Sequence, residues 1–323
     1  MKKFLFKLFV FLSITITVHL VFAFSADNSL DDYYGKVSNG TKKSLVIGTS
    51  RALQGIIPSI VDSTLENEES SLYNFAFTLL SSPFGEVYYN AIESKVSPNS
   101  TNGIFIVTVD PWSISQGKHY IPNDSIDKKS VLFGLSNLTS NPNFEYLWEK
   151  YPSGWGDILL RKLELHFLEK NAKNLNDNVT GSFSKIENDG WLNVYTSMDP
   201  SFVNEKENKK FRAYHESSKS NKFSEYRYSY LLKTIKKLKN YGSVYLVRLP
   251  VHKKMFEIES NYMPSFTSRI EKAINYSDDY FDMTKLSFDF KYTDGNHLEK
   301  SSSKKVSIII ANWIEESNKS LPN

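Results

Sequence analysis

Two short stretches hold residues that could do chemistry together. In LVIGTSRALQG (Leu45–Gly55), Ser50 follows an apolar run and a glycine; in TDGNHLEKSSSK (Thr293–Lys304), Asp294 stands three residues ahead of His297. A serine hydroxyl is a weak nucleophile until a base takes its proton. An imidazole whose one nitrogen is held by a carboxylate can present the other nitrogen to that hydroxyl. Read singly, each stretch is equally an ordinary turn. Serine commonly caps a helix at a strand end, Asp294-Gly295 forms a turn, and His297 is a polar entry to a helix.

Other chemistries fit less well. A phosphate loop needs Gly-Lys-Ser/Thr after its glycines, whereas Gly55 is followed by Ile56, Ile57 and Pro58. The dinucleotide pattern Gly-x-Gly-x-x-Gly is absent as well. With no cysteine in the chain, disulfides, thiolate nucleophiles and Cys-ligated metals are excluded, and no metal or cofactor is expected. Of the other histidines, His19 lies in the leader and His119, His166 and His215 fall between the strands. His252, in LPVHKKM, follows a predicted strand and is a minor alternative base.

The elements that would position Ser50 and His297 are legible around them. Ser44–Ile47 reads as a buried strand, with further strands at Gly103–Val109, Ser243–Leu249 and Tyr280–Met283, and Asn74, in LYNFAF, comes after a predicted second strand. Helices are predicted over Phe84–Val96, Asp157–Asn171, Ser224–Asn240, Pro264–Tyr276 and Ser301–Ser317. In the last, Val306, Ile309, Ile310 and Trp313 recur at helical spacing. Apolar strands alternating with helices predict an α/β fold, a three-layer α/β/α with a mostly parallel sheet. A large insertion after the third strand, at about 110–223, interrupts the rhythm. Its end, VNEKENKKFRAYHESSKSNKF, reads as a charged, solvated loop. The lysines Lys233, Lys236, Lys237 and Lys239 read as the solvated face of a helix.

At 323 residues the chain has ample material for a core. It opens with Lys2, Lys3 and Lys7 ahead of an apolar run to Phe24. Residues 1–25 are therefore expected to be a cleaved export signal, with Ala23 and Ser25 as the small residues, or an uncleaved anchor. Residues 26–43 read as a polar spacer, and 44–323 as the α/β domain. The protein is expected outside the cytoplasm and to meet the membrane only through its N-terminal segment. The formal charge of +3 equals the three leader lysines, so the remainder is neutral and lacks the electrostatic signature of a nucleic-acid binder.

Taken together, Gly-Thr-Ser-Arg after the first strand and Asp-Gly-Asn-His-Leu before the last helix resemble the SGNH/GDSL hydrolase superfamily. The closer likeness is to its exported bacterial branch, associated with O-acylation of cell-surface glycans. The resemblance implies Ser50 as nucleophile, His297 as general base and Asp294 as its orienter. It implies a serine esterase or O-acyltransferase, acting on an acyl group such as acetyl on a polysaccharide, with a membrane-bound acyltransferase as a possible partner. The superfamily's Gly-x-Asn-Asp block is missing. The amide of Ser50 is one expected oxyanion donor, and Asn74 or the Asp110-Pro111-Trp112 turn stands nearest as a substitute. Arg51 could bind a substrate carboxylate or pair with a structural acid. The insertion carries Trp112, Trp148, Trp155 and Trp191, with Tyr120, Tyr151 and Tyr195; Trp112 and Trp191 are candidates to face sugar rings, against the alternative that such aromatics are core. A second reading stays open, a non-catalytic subunit of SGNH type that binds glycan or serves a membrane acyltransferase.

Overall fold

A computed structural model describes residues 1–27, 30, 33–66, 72–79, 84–117, 138, 141–151, 155–174 and 182–320. His119 and Tyr120 fall outside these, as does the side chain of Trp155. The strands, in chain order, are β1 (Ser44–Ile47), β2 (Leu72–Asn74), β3 (Gly103–Thr108), β4 (Ser115–Gly117), β5 (Ser182–Ile186), β6 (Leu192–Thr196), β7 (Asn221–Phe223), β8 (Gly242–Arg248) and β9 (Asp279–Asp282). Five of them form the central sheet in the order β2-β1-β3-β8-β9, with every neighbouring pair parallel. The chain moves from β1 outward to β2 and then crosses to β3 on the other side. That reversal puts the crevice between the carboxyl ends of β1 and β3, where open α/β sheets bind ligands.

The first helices are α1 (Lys2–Phe24), α2 (Tyr34–Ser38), α3 (Ser50–Gly55), α4 (Pro58–Thr64) and α5 (Glu86–Lys95). The insertion contributes α6 (Phe144–Lys150), α7 (Trp155–Asn174) and α8 (Pro200–Ser220). The remainder are α9 (Glu225–Leu238), α10 (Lys253–Tyr262), α11 (Phe266–Arg269), α12 (Glu271–Tyr276) and α13 (Lys300–Ser320). Successive strand residues enter opposite layers. Leu45, Ile47, Phe105, Val107, Val244 and Leu246 pack with Tyr88, Leu231 and Ile235 on one face. Val46, Ile106, Tyr245 and Val247 pack with Ala52, Val306 and Ile310 on the other. Both faces are covered, which is why these strands read as unbroken apolar runs instead of alternating ones. The α/β/α expectation is met, with the insertion placed after the third strand.

Three local readings need correcting. Residues 26–43 are no spacer: Ala26, Leu30, Tyr34 and Val37 are buried in the first of these cores. The Lys95 ammonium donates to the Lys36 carbonyl at 2.7 Å and to Asn39 Oδ1 at 2.6 Å, tying the segment to α5. The charged end of the insertion is the 21-residue helix α8 instead of a loop. Pro200 opens it, and the Asp199 carboxylate accepts from the Ser201 amide at 2.9 Å, a start signal that outweighs its lack of apolar periodicity. The single helix expected over Pro264–Tyr276 is broken at Ile270 into α11 and α12. β4 pairs with β7, bringing the two ends of the insertion together. At the N-terminus, α1 is long and apolar enough to cross a membrane, with mean hydropathy 2.1.

Candidate active site

Ser50 is the first residue of α3, directly after the turn that leaves β1. The turn depends on Gly48, whose φ is +153°; a Cβ there would lie 1.9 Å from Thr108 Oγ1. Any side chain at this position would have to displace the Thr108 side chain at the end of β3. The buried Tyr88 hydroxyl fixes the same turn, accepting from the Gly48 amide at 3.1 Å and donating to the Phe75 carbonyl at 2.8 Å. Burial pushes the Tyr88 phenol well above its ordinary range, so it stays a donor.

Asp294 and His297 sit on the loop that precedes α13. Asp294 Oδ1 accepts from the backbone amides of Asn296 at 3.0 Å and His297 at 2.9 Å, so the carboxylate shapes its own loop. Gly295 has φ +75°, and a Cβ there would lie 2.4 Å from the Phe211 ring on α8. The loop and the insertion are therefore fitted to each other. The His297 Nδ1 lies 2.9 Å from Asp294 Oδ2, and its Nε2 lies 2.8 Å from Ser50 Oγ. Burial alone would raise the Asp294 pKa. The charge and hydrogen bond of His297, the Lys210 ammonium and the Asn296 amide outweigh it and hold the carboxyl well below the usual range. An ionised carboxylate only accepts, so the proton belongs on Nδ1 and the Nε2 lone pair faces the Ser50 hydroxyl.

Arg51 lies behind this row, 6% exposed. Its guanidinium meets Glu259 Oε1 at 2.5 Å and Asp110 Oδ2 at 3.6 Å. Glu259 also accepts from Trp112 Nε1 at 2.9 Å and from Arg248 at 3.2 Å. Desolvation works against the Arg51 charge, but Glu259 and Asp110 together keep it firmly protonated. Of the two roles open to Arg51, the structure places it with the acids. It also donates twice to Asn296 Oδ1, at 3.0 and 2.7 Å. Two donors on one side fix which end of that carboxamide is oxygen. The Asn296 nitrogen therefore faces the other way, 3.2 Å from His297 Nε2.

Several expected site residues prove to be scaffold. Asn74 is fully buried and spends its amide on the carbonyls of Ala52 at 2.9 Å and Ile56 at 3.0 Å, so it anchors α3 and is not free to meet an oxyanion. The Asp110-Pro111-Trp112 turn is closed on itself, because Asp110 Oδ1 takes the amides of Trp112 and Ser113, both at 2.9 Å. Trp112 is buried and stacked on Tyr262, with ring centroids 4.7 Å apart. Trp191 is also buried; its Nε1 donates to the Gln54 carbonyl at 2.8 Å, and Lys300 lies over its ring. Neither ring offers a sugar platform. His252 is a helix cap whose Nδ1 accepts from the Lys254 amide at 3.2 Å.

A cavity of about 520 Å³ opens beside His297 and Asp294. The β5–β6 hairpin supplies Phe183, Leu192 and Val194, and α8 supplies Lys206, Lys209 and Lys210. Sequence reading passed over Asn296, Glu259 and these lysines. Asn296 had a signal, since it sits inside the Asp-Gly-Asn-His block. Glu259 had none, being one of two acids, with Glu257, on an amphipathic helix. Among the described residues no cluster of three or more His, Asp or Glu side chains is suited to a metal ion. The arrangement can deprotonate a hydroxyl and hold the resulting imidazolium against a carboxylate. No protein-family model and no curated protein matches this chain.

Proposed function

We propose that the protein is an exported serine-dependent O-acyl esterase or acyltransferase acting on a glycan. One observation carries the reading: Ser50 Oγ, His297 and Asp294 form a continuous hydrogen-bonded row, 2.8 Å at Nε2 and 2.9 Å at Nδ1, beside an open cavity. The resemblance of the two sequence blocks to the SGNH/GDSL superfamily supports it. The apolar α1 supports export.

In this reading Ser50 Oγ attacks the ester carbonyl while its proton passes to His297 Nε2, and Asp294 stabilises the imidazolium. Collapse of the tetrahedral intermediate breaks the bond to the sugar oxygen, which takes the proton from Nε2. The acyl-serine then passes its acyl group to water or to another hydroxyl, activated by the same imidazole. Asn296 fills the donor role that Asn74 cannot. The Asn296 N–H lies 3.2 Å from Nε2, but the one lone pair there belongs to the closer Ser50 hydroxyl at 2.8 Å, so this N–H is left to donate to the oxyanion forming beside Ser50.

The test is a serine-reactive fluorophosphonate with peptide mass mapping, followed by acetate release from an acetylated polysaccharide. Labelling at Ser50 and its loss in His297→Ala are expected. A folded protein that resists labelling would sink the enzymatic reading and select the non-catalytic glycan-binding subunit. Export is tested separately by N-terminal sequencing of envelope protein. A start near Ala26 marks a cleaved leader and intact Met1 in membranes marks an anchor, whereas intact Met1 in the cytoplasm refutes export.

A further inference from the structure

The charge in the cavity is unusual for this chain. Apart from its leader the protein is electrically neutral, yet the cavity lining contains three lysines and one acid. That acid, Asp294, is committed to His297 at 2.9 Å. Lys206, Lys209 and Lys210 fall on one face of α8, at spacings of three and four residues, and line the cavity together with the apolar residues of the β5–β6 hairpin; the Lys206 ammonium also lies over the Phe202 ring, 4.3 Å from its centroid. Lys206 is positioned by Thr196 Oγ1 at 2.8 Å, and Lys210 lies 3.2 Å from Asp294 Oδ2. Glu207, on the same helix, lies against the Gly295 position instead of lining the cavity. Burial lowers the Lys206 pKa; Asp294 opposes that, and the neighbouring Lys210 adds to it. An ammonium half-buried beside another is relieved by an anion.

We propose that this cavity takes an acidic group of the glycan, a sugar carboxylate or a phosphodiester, held by Lys206, Lys209 and Lys210 beside His297 and Asp294. The proposal rests on the reading of Ser50 as the acyl-accepting nucleophile, and it names that enzyme's substrate class as an acidic saccharide. The volume of about 520 Å³ suits one or two sugar residues. Phe183, Leu192 and Val194 offer an apolar wall to the sugar ring while the lysines take its charge. Lys210 has a double role. An anion that draws it from Asp294 leaves the carboxylate wholly to His297, so the acidic substrate also improves its own base.

Binding is measured by calorimetry on the full-length Ser50→Ala protein at low salt. The probes are an oligogalacturonate, an oligomer of glycerol phosphate and a neutral manno-oligosaccharide. One acidic oligomer is expected to bind at least tenfold more tightly than the neutral one. Its affinity should fall at least tenfold in 0.5 M salt and at least tenfold in Lys206→Met/Lys209→Met. The oligomer that binds identifies the anion as carboxylate or phosphodiester. Should the double variant not fold, Lys209→Met, at an exposed position, replaces it with an expected threefold loss. The proposal is overturned by equal binding of neutral and acidic oligomers, by no binding of either acidic one, or by unchanged affinity in the folded lysine variants. Because Ser50 is absent from this experiment, acidic binding alongside an unlabelled serine would refute the esterase and leave the subsite standing.

Discussion

The guanidinium of Arg51 holds the carboxamide oxygen of Asn296 at 2.7 and 3.0 Å. A residue directly after the serine thereby orients a residue directly before the histidine. The two sequence blocks are locked together from behind, independently of the bond between Ser50 and His297. Asn296→Ala should lower kcat about 10²-fold, the scale of losing one oxyanion donor, with KM little changed. Arg51→Lys keeps the charge but loses the fork, so it should also lower kcat while labelling at Ser50 persists. Wild-type kcat in Asn296→Ala would remove it from the mechanism.

Ser50 and His297 act as one unit if Nε2 takes the Oγ proton across their 2.8 Å contact. Ser50→Ala and His297→Ala should each remove several orders of magnitude in rate, and the double variant should lose little more. Hydrolysis of a nitrophenyl acetate by the three proteins decides this. Losses that multiply would show independent action. With His252 serving as a cap, no other histidine would then stand ready as the base among the described residues.

Asp294→Asn should cut the rate by about 10³–10⁴, because an amide can select the wrong imidazole tautomer. It should also change acid stability. Although burial opposes its charge, His297 and Lys210 hold the folded carboxyl below its ordinary range. The unfolded chain therefore binds this proton first as pH falls. The group's stabilisation is present above the unfolded value of about 3.9 and is lost as pH drops through the folded one. Urea midpoints of wild type and variant should differ most at pH 6 and converge towards pH 2. A constant gap would mean that Asp294 is not stabilised as a charge.

The sheet was readable because its strands are buried on both faces, so each stands out as an apolar run, and the edge strand at Asp279–Asp282 was weakest because it is only half-buried. The pairing of Ser50 with His297 was readable only by coupling two blocks far apart in sequence, since either alone is a common turn. What escaped was whatever depends on three-dimensional partners. Asn74 looked like a donor by its place after a strand, but the α3 carbonyls claim it. Trp112 and Trp191 looked like platforms, but Glu259 and the Gln54 carbonyl claim their indole nitrogens. Helix α8 was missed because it is polar around most of its surface, with Phe211 as its one buried side chain. Its cap and opening proline were the better signal.

The N-terminal segment supplies a last prediction. Lys95 is buried at 1% exposure, and burial, then the nearby Lys42, pushes its pKa down to about 7. Between that value and the ordinary one near 10.4, the unfolded chain carries a proton that the folded one does not. Stability should therefore rise with pH across this window, by up to about 1.4 kcal/mol per pH unit. Lys95→Met removes the titration and should flatten the slope. At pH 9 the variant should be the less stable protein, because the Lys36 carbonyl and Asn39 Oδ1 lose their donor. At pH 7 the deficit should shrink or reverse, since wild type there carries the cost of a partly charged buried ammonium. Urea denaturation at pH 7, 8 and 9 reads both slopes; parallel lines would show that Lys95 stays charged throughout.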